Sequence, residues 1–307
     1  MNAGAGIQIP AEHPVTVTHP DKLLWPEAGI TKLGYMRYLA QMAPVMLPHL
    51  QDRLLTMIRF PDGIHGHSFY QKDAPAGTPE WVRTEAVWSQ DRQERIRYVI
   101  VDSVATLLWL ANIGCLEMHV GFSTVGKPNE PTSVAFDLDP TVPGFEPVRT
   151  VAMCLHELLQ RLDLPHTVKT SGATGLQLFI PLAPGHTYEQ TRVFTRAVAE
   201  YALQRLPHLV TLERRVKDRG DKVYVDYLQH GATRTLIAPY SPRARREATV
   251  SAPLTFLELG RGSRPEDFTL HNMPLRVQER GDLMQCGPGA DLRPIVSFLR
   301  RHPVTAW

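Results

Sequence analysis

Cysteine is scarce in this sequence, and the scarcity excludes two classes of protein at once. Cys115, Cys154 and Cys286 stand far apart with no CxxC pair. Neither a disulfide framework nor a structural zinc cage is therefore encoded, and a reducing cytoplasm suits the chain. Long apolar runs are missing too, since none reaches the ~18 residues that a membrane span needs. The opening residues, MNAGAGIQIPAEHP, have no basic start followed by an apolar core. Residues 1–14 are accordingly expected to be a flexible tail rather than a secretory leader, with a second short tail at 303–307. A strong excess of one charge sign is also lacking: the formal net charge is +2.

What is present is ordinary globular composition over 307 residues, 43% hydrophobic and 21% charged. Residues 15–302 are read as one domain. The charge is unevenly spread, however. Between Arg214 and Arg246 there are nine Lys or Arg against three acids, Asp218, Asp221 and Asp226. A solvated face explains such a run, and so does a site for an anionic ligand.

Apolar spacing sets the expected elements. A helix opens at Thr31, its N-cap, and runs to about Leu47, kinked or ended by Pro44. Strands are expected at 54–60, 68–72, 97–101 and 115–120, with a buried helix at 103–114. Val148, Val151, Ala152, Leu155, Leu158, Leu159 and Leu162 mark an amphipathic helix. Strands at 166–170 and 176–182 flank the turn SGATG, a helix covers 187–206, and 222–228 with 234–240 reads as a hairpin around QHGAT. Residues 260–290 read as irregular, before a last helix at 292–301. Strands and helices mixed with hairpins and few βαβ units argue for an α+β fold.

The chemistry centres on VAFDLDPTVP, residues 134–143. Asp137 and Asp139 lie two apart on a strand and so share a face, where their repulsion is costly unless a cation sits between them. A strand ending in a polar turn stopped by Pro140 is the plain alternative. KVYVD supplies a third carboxylate, Asp226, at the end of an apolar strand. Three carboxylates on two adjacent strands can hold two Mg²⁺ or Mn²⁺ ions, as phosphoryl and nucleotidyl transfer require. The turn TSGATG offers the Ser171 hydroxyl and backbone N–H groups as a small anion nest. Arg219 and Arg243 bracket the Asp226 strand and could clamp a triphosphate. Phe69 and Tyr70 could stack on a base, Arg59 ends its strand just before FPDG, and Lys32 lies in a helical first turn with Lys22 upstream.

VAFDLDPT is also similar to the first motif of haloacid-dehalogenase-type phosphatases, and GDKVYVD matches that family's late spacing through Asp221 and Asp226. Against that reading, the motif lies about 130 residues into the chain and Pro140 replaces the usual glycine. The ordered series DKLLWPEAGITK, RFPDGIHGHSFYQKDAP, LEMHV, VAFDLDP, TSGATGLQLFIPL, KVYVDYLQ and APYSPRAR resembles a different family, the polymerase module of bacterial ligase D. That module belongs to the archaeo-eukaryotic primase superfamily, and the resemblance runs from about Val15 to Phe298.

The resemblance implies a primase-like α+β core of mixed and antiparallel sheets flanked by helices. It implies template-directed nucleotidyl transfer that fills gaps and extends ends in double-strand break repair by non-homologous end joining, with two Mn²⁺ or Mg²⁺ ions and a preference for ribonucleotides. By position, Asp137, Asp139 and Asp226 become the metal ligands. Arg59, Phe69, His119, Ser171, Gly172, Thr174, Gln177, Arg219 and Arg243 form the nucleotide-binding set, with Phe69 near the base. Lys22 and Lys32 match lysines that grip a downstream 5′-phosphate. The implied partners are gapped or broken DNA, NTP or dNTP, a Ku end-binding protein and a separate ATP-dependent DNA ligase, in the cytoplasm at the nucleoid and with no membrane. A primase-like module that only grips DNA ends is the non-enzymatic alternative. Thr174 and Gln177 stand where many relatives carry Lys and His, which implies weaker nucleotide binding.

Overall fold

The computed structural model describes residues 8–9, 11–90 and 92–302. The fold is α+β, as the mixture of periods indicates, and its residues cluster into two compact units that the chain enters more than once. The first comprises residues 1–120, 237–251 and 268–281, and the second 121–236, 252–267 and 282–307.

In the first unit a four-stranded sheet has the order Leu236–Ile237, Cys115–Val120, Leu55–Arg59, Phe69–Gln71. Two helices, Lys32–Leu50 and Val104–Asn112, pack on each other. Thr31 caps the first of them through its hydroxyl, which accepts from Gly34 N at 3.1 Å. This helix does not stop at Pro44 but runs through Pro44 and Pro48 to Leu50. A helical proline costs about 3 kcal/mol. Here Tyr35, Met36, Leu39, Met42, Met46 and Leu50 are all fully buried, and each such side chain returns roughly 1.5–3 kcal/mol. Packing wins.

The second unit is built on a six-stranded sheet ordered Val210–Thr211, Val223–Asp226, Ser133–Pro140, Leu176–Pro181, Thr167–Thr170, Pro253–Leu254. All neighbours are antiparallel except the first pair. Helices Glu146–Arg161 and Tyr188–Arg205 both contact the central strand Ser133–Pro140. Along that strand Val134, Phe136 and Leu138 are fully buried, with Phe136 against Phe194 at a ring separation of 6.4 Å. The alternate face carries buried Ala135 and then the partly exposed Asp137 and Asp139. The strand thus delivers its aspartates as the exposed half of a period-two pattern whose other half is core.

Three expected elements differ. The segments 222–228 and 234–240 are not a hairpin: Val223–Asp226 belongs to the six-stranded sheet and Leu236–Ile237 to the four-stranded one. The Asp226 carboxylate accepts from Gln229 N at 2.9 Å and turns the chain into a 3₁₀ turn, Tyr227–Gln229, that ends the strand. Residues 260–290 are not irregular throughout, because a helix spans Met273–Arg280 and ends at Gly281 with φ +70°. The strand expected at 97–101 is the second arm of a hairpin, Thr84–Ser89 with Glu94–Val99, whose first arm has no buried residue and only the short apolar run Ala86–Trp88. Gln8–Ile9, inside the expected tail, pairs with Val15–Thr16, whereas residues 1–7, 10 and 303–307 lie outside the described residues.

His230 gives the second unit a pH dependence. It is 3% exposed, lies 2.7 Å from the Thr191 hydroxyl, and packs edge-on to Phe122. Its Nδ1 has no partner among the described residues. Burial, reinforced by the Arg192 charge, pushes its pKa down from 6.5 to about 4. The folded form therefore binds fewer protons than the unfolded one between these values, so stability is full above pH 6.5 and falls as pH drops toward 4. Urea unfolding at pH 7.5 and pH 5.0 should differ by roughly 2 kcal/mol more in the native protein than in His230→Phe. Identical pH dependence in the two would contradict this role.

Candidate active site

Register assembles the site. Across the six-stranded sheet Asp226 pairs with Asp137, Asp137 with Gln177, and Gln177 with Lys169. Directly opposed residues project on the same face, so the four form one row over four strands. The hydrogen bonds follow that row. Lys169 Nζ donates to Gln177 Oε1, and Gln177 Nε2 donates to Asp137 Oδ1 at 3.0 Å. Asp139 lies two residues along from Asp137, opposite Tyr224.

These carboxylates strain against one another. Burial first, and then the Asp139 charge, hold the Asp137 pKa far above the usual carboxylate range; Asp226 adds to the rise, while Gln177 and Lys169 oppose it. Such a cluster of hard oxygen donors suits a divalent cation, whose charge would cancel the repulsion. Among the described residues no group of three or more His, Cys, Asp or Glu side chains is placed so as to hold a metal ion. The Asp226 carboxylate is engaged by Gln229 N. The donor set fits Mg²⁺ or Mn²⁺ in kind.

The turn beside this row is tightly built. Ser171 Oγ accepts from Ala173 N at 3.2 Å and Gly175 N at 3.0 Å, which leaves its O–H as the group able to donate. Gly172 has φ +68°. A Cβ at Gly175 would lie 2.4 Å from the Leu138 carbonyl oxygen, so only glycine lets the turn sit against the aspartate strand. Thr174 is exposed on a cleft it shares with Pro140–Phe145 and Arg264–Glu266. Gln177, expected in the nucleotide set, is 3% exposed and faces Asp137 and Lys169. Arg219 is fixed over the Tyr224 ring at 3.8 Å, with Nε and Nη2 on the carbonyls of Glu213 and Arg214 at 3.0 Å.

The remaining expected residues lie in the first unit. Glu117, 5% exposed, holds Arg243 Nη1 at 2.9 Å and His119 Nε2 at 3.4 Å through one oxygen, and accepts from Ala244 N at 3.0 Å through the other. Burial alone would raise its pKa, but His119, Arg243 and that N–H outweigh it and keep the carboxyl below its usual range. Arg243 and Glu117 line an open cleft of about 540 Å³ with Ile64, His65 and residues 244–247. Arg59 donates to the Ile113 carbonyl and to Gln71, and lies over the half-buried Phe69 ring at 5.3 Å. Tyr70 is 73% exposed. Arg219 and Arg243, paired by their places in the sequence, belong to different units.

Lys22 and Lys32 are neighbours: burial first, then the Lys22 charge, lower the Lys32 pKa. Lys22 pairs with Asp62 at 2.6 Å, and Lys32 donates to Thr18 Oγ1 and the Asn112 carbonyl. The helix start is not open, however. Lys32 N and Leu33 N donate to the carbonyls of Lys22 and Pro20, and Gly34 N to Thr31. An anion there would meet ammonium groups rather than free N–H groups.

Sequence reasoning missed Glu117 and Lys169. Each is a charged residue inside a predicted strand, LEMHV and HTVKT, and that interior charge was the available signal.

A largely antiparallel sheet carrying paired carboxylates on its central strand and a third on the neighbouring strand suits a nucleotidyltransferase core and is not the doubly wound parallel sheet of a phosphatase. Comparison with known proteins agrees and narrows the class. Residues 31–284 match the family model described as "LigD, primase-polymerase domain", so the chain belongs to that family. The polymerase domain of Mycobacterium tuberculosis ligase D, solved in complex with DNA, superposes with a TM-score of 0.81 at 32% identity, covering 92% of this chain and 98% of that one. Among curated relatives, LigD of Bacillus subtilis is 36% identical over 88% of this chain and 43% of its own length. LigD of Mycolicibacterium smegmatis is 34% identical over 88% of this chain and 35% of its own. The chain thus spans less than half of these relatives. No helix among the described residues is long and apolar enough to cross a membrane.

The strain among the carboxylates is measurable. In EDTA, Asp139→Asn should melt a few degrees above the native protein, because it relieves roughly 1–2 kcal/mol of repulsion on Asp137. Added Mn²⁺ should raise the native melting temperature and leave the variant nearly unmoved. Equal Mn²⁺ responses in the two would contradict a shared cation.

Proposed function

We propose that this chain is a template-directed polymerase of DNA double-strand break repair by non-homologous end joining, filling gaps and extending ends with two Mn²⁺ or Mg²⁺ ions and preferring ribonucleotides. The observation that carries this reading is the register that sets Asp226 opposite Asp137, with Asp139 two residues on. The printed names of the relatives support the repair setting: the LigD proteins are called non-homologous end joining proteins, and the M. tuberculosis domain is described with DNA. In the same setting the partners are DNA bearing a 5′-phosphate, NTP or dNTP, a Ku-type end-binding protein and an ATP-dependent ligase, in the cytoplasm at the nucleoid.

The carboxylates of Asp137, Asp139 and Asp226 would hold the ions, which when bound neutralise phosphate charge and favour an ionised attacking hydroxyl. The chain's own groups bind and orient. The Ser171 O–H suits a phosphate oxygen; the N–H groups of Gly172, Ala173 and Gly175 already donate to Thr170 Oγ1 and Ser171 Oγ and serve to hold the turn, and Thr174 stands at the rim of the adjoining cleft. The Arg219 guanidinium is fixed before any anion arrives, so little entropy is lost on binding. His119 and Arg243, tethered by Glu117, are assigned to the nucleotide, as are Arg59 and Phe69. His119 and Ser171, each on its own unit, are separate candidates for accepting a 2′-hydroxyl.

Primer extension on a 5′-phosphorylated gapped duplex with Mn²⁺ tests the reading. The native protein should extend, and Asp137→Asn should lose about a thousand-fold or more in rate with DNA binding unchanged, since the ions supply several kcal/mol to the transition state. Extension at native rates by that variant, or none by the native protein with any nucleotide, would sink the proposal. Equal kcat/KM for ATP and dATP opposite one template base would remove the ribonucleotide preference alone.

Lys22 and Lys32 are proposed to grip the 5′-phosphate, with Lys22 exchanging Asp62 for it. Charge-assisted contacts of about 1.5–3 kcal/mol each should favour phosphorylated over hydroxyl ends by roughly ten- to a few-hundred-fold after screening. Lys22→Ala/Lys32→Met should bind both ends alike. Equal native affinities for the two ends would leave the lysines no such role.

A further inference from the structure

Lys169 is unusual. It lies in the middle of the strand Thr167–Thr170 with no exposed surface, its Nζ above the Phe179 ring at 5.6 Å. Burying an ammonium costs several kcal/mol unless it is well paired, and a plain β-strand position does not need one. The ammonium donates to the side-chain amide of Gln177, and the amide donates to Asp137.

Direction decides the meaning of this chain of bonds. An ammonium has three donors and no acceptor, so it can only meet the oxygen of an amide. With Oε1 turned to Lys169, the NH₂ end of Gln177 is forced to face Asp137 Oδ1. A free glutamine could present either end, and its oxygen would suit only a protonated Asp137. With the amide locked, Oδ1 is always offered an N–H, which favours the carboxylate and fixes its rotation about the Cβ–Cγ bond. The second carboxylate oxygen is left for a cation.

We infer that Lys169 is a positioning residue for the metal centre, acting through Gln177 to orient Asp137. The inference rests on the proposed reading of Asp137 and Asp139 as cation ligands. It also gives the replacement at 177 a physical sense. A neutral imidazole there could accept from Lys169 at one nitrogen and donate to Asp137 from the other, so amide and imidazole are interchangeable in this role, whereas an apolar side chain of similar size is not.

The test is Mn²⁺ binding by calorimetry on Lys169→Met, Gln177→Leu, Gln177→His and Asp139→Asn, with circular dichroism melts to establish folding and extension assays for kcat and for KM of the nucleotide. Removal of groups that orient metal ligands typically weakens affinity 10–100-fold. Lys169→Met and Gln177→Leu should each weaken Mn²⁺ binding about ten-fold or more, and in Lys169→Met the KM for nucleotide at saturating Mn²⁺ should be little changed. Gln177→His should stay within about three-fold of native. Native Mn²⁺ affinity in folded Lys169→Met overturns the inference, as does a Gln177→His variant as weak as Gln177→Leu. Should Lys169→Met fail to fold, Gln177→Leu decides: native affinity overturns, and ten-fold loss supports. Asp139→Asn separates the two levels. If it too binds Mn²⁺ like the native protein, the reading of the aspartates as metal ligands has failed, not merely the relay behind them.

Discussion

The pairing of the strand Ser133–Pro140 with its two neighbours is the constraint on which the rest of this protein depends. Asp137 faces Asp226 on one side and Gln177 on the other in registers that bury Val134, Phe136 and Leu138 under the helices. A slip of one residue would turn the aspartates into the core and the phenylalanine out to water. The core residues of this strand therefore hold its functional residues in place. Gly175 tightens the arrangement, since any side chain there would collide with the Leu138 carbonyl and drive the Ser171 turn off the strand.

Electrostatics sets the second requirement. Like charges held on adjacent strands work against folding, and here the opposition is graded along one row from Asp226 and Asp137, through an amide, to a buried ammonium. An ion pair buried in direct contact would satisfy both partners and leave neither for a ligand. An intervening amide lets Lys169 stabilise the carboxylate without occupying its outer oxygen. The first unit uses a related device with the signs reversed: the buried Glu117 carboxylate holds the Arg243 and His119 side chains by one oxygen and the Ala244 backbone by the other. In each case a buried charge orients the groups that would meet a ligand.

Much of this was legible in the residues. The α+β class, the capped helix at Thr31, the amphipathic helix after the aspartates and the strand that carries them all follow from periods of 3.6 and 2 and from turn chemistry, which are local properties. The three carboxylates stood out because acids at the ends of apolar strands contradict the pattern around them. The Thr84–Ser89 arm was hidden because neither of its faces is buried, and the Met273–Arg280 helix because only Met273 in it is buried. The hairpin expected around QHGAT failed for a different reason. Asp226 caps a turn that sends the next strand to the other sheet, and a side chain accepting one backbone N–H leaves no mark in hydropathy.

The sequence by itself determined the α+β class, the capped start of the Lys32–Leu50 helix and the apolar faces of the aspartate strand and of the helix after it, because these depend on neighbours within a few positions. Only the tertiary structure decided that Asp226 lies opposite Asp137, that Gln177 turns inward to that aspartate rather than outward, that Lys169 stands behind it, and that the N–H groups at the start of the Lys32–Leu50 helix are already taken. Alternation fixes which side of a strand a residue occupies, but the choice of partner strand and register is made by the packing of the whole sheet. The direction of a buried amide is made by the ammonium that can meet only its oxygen.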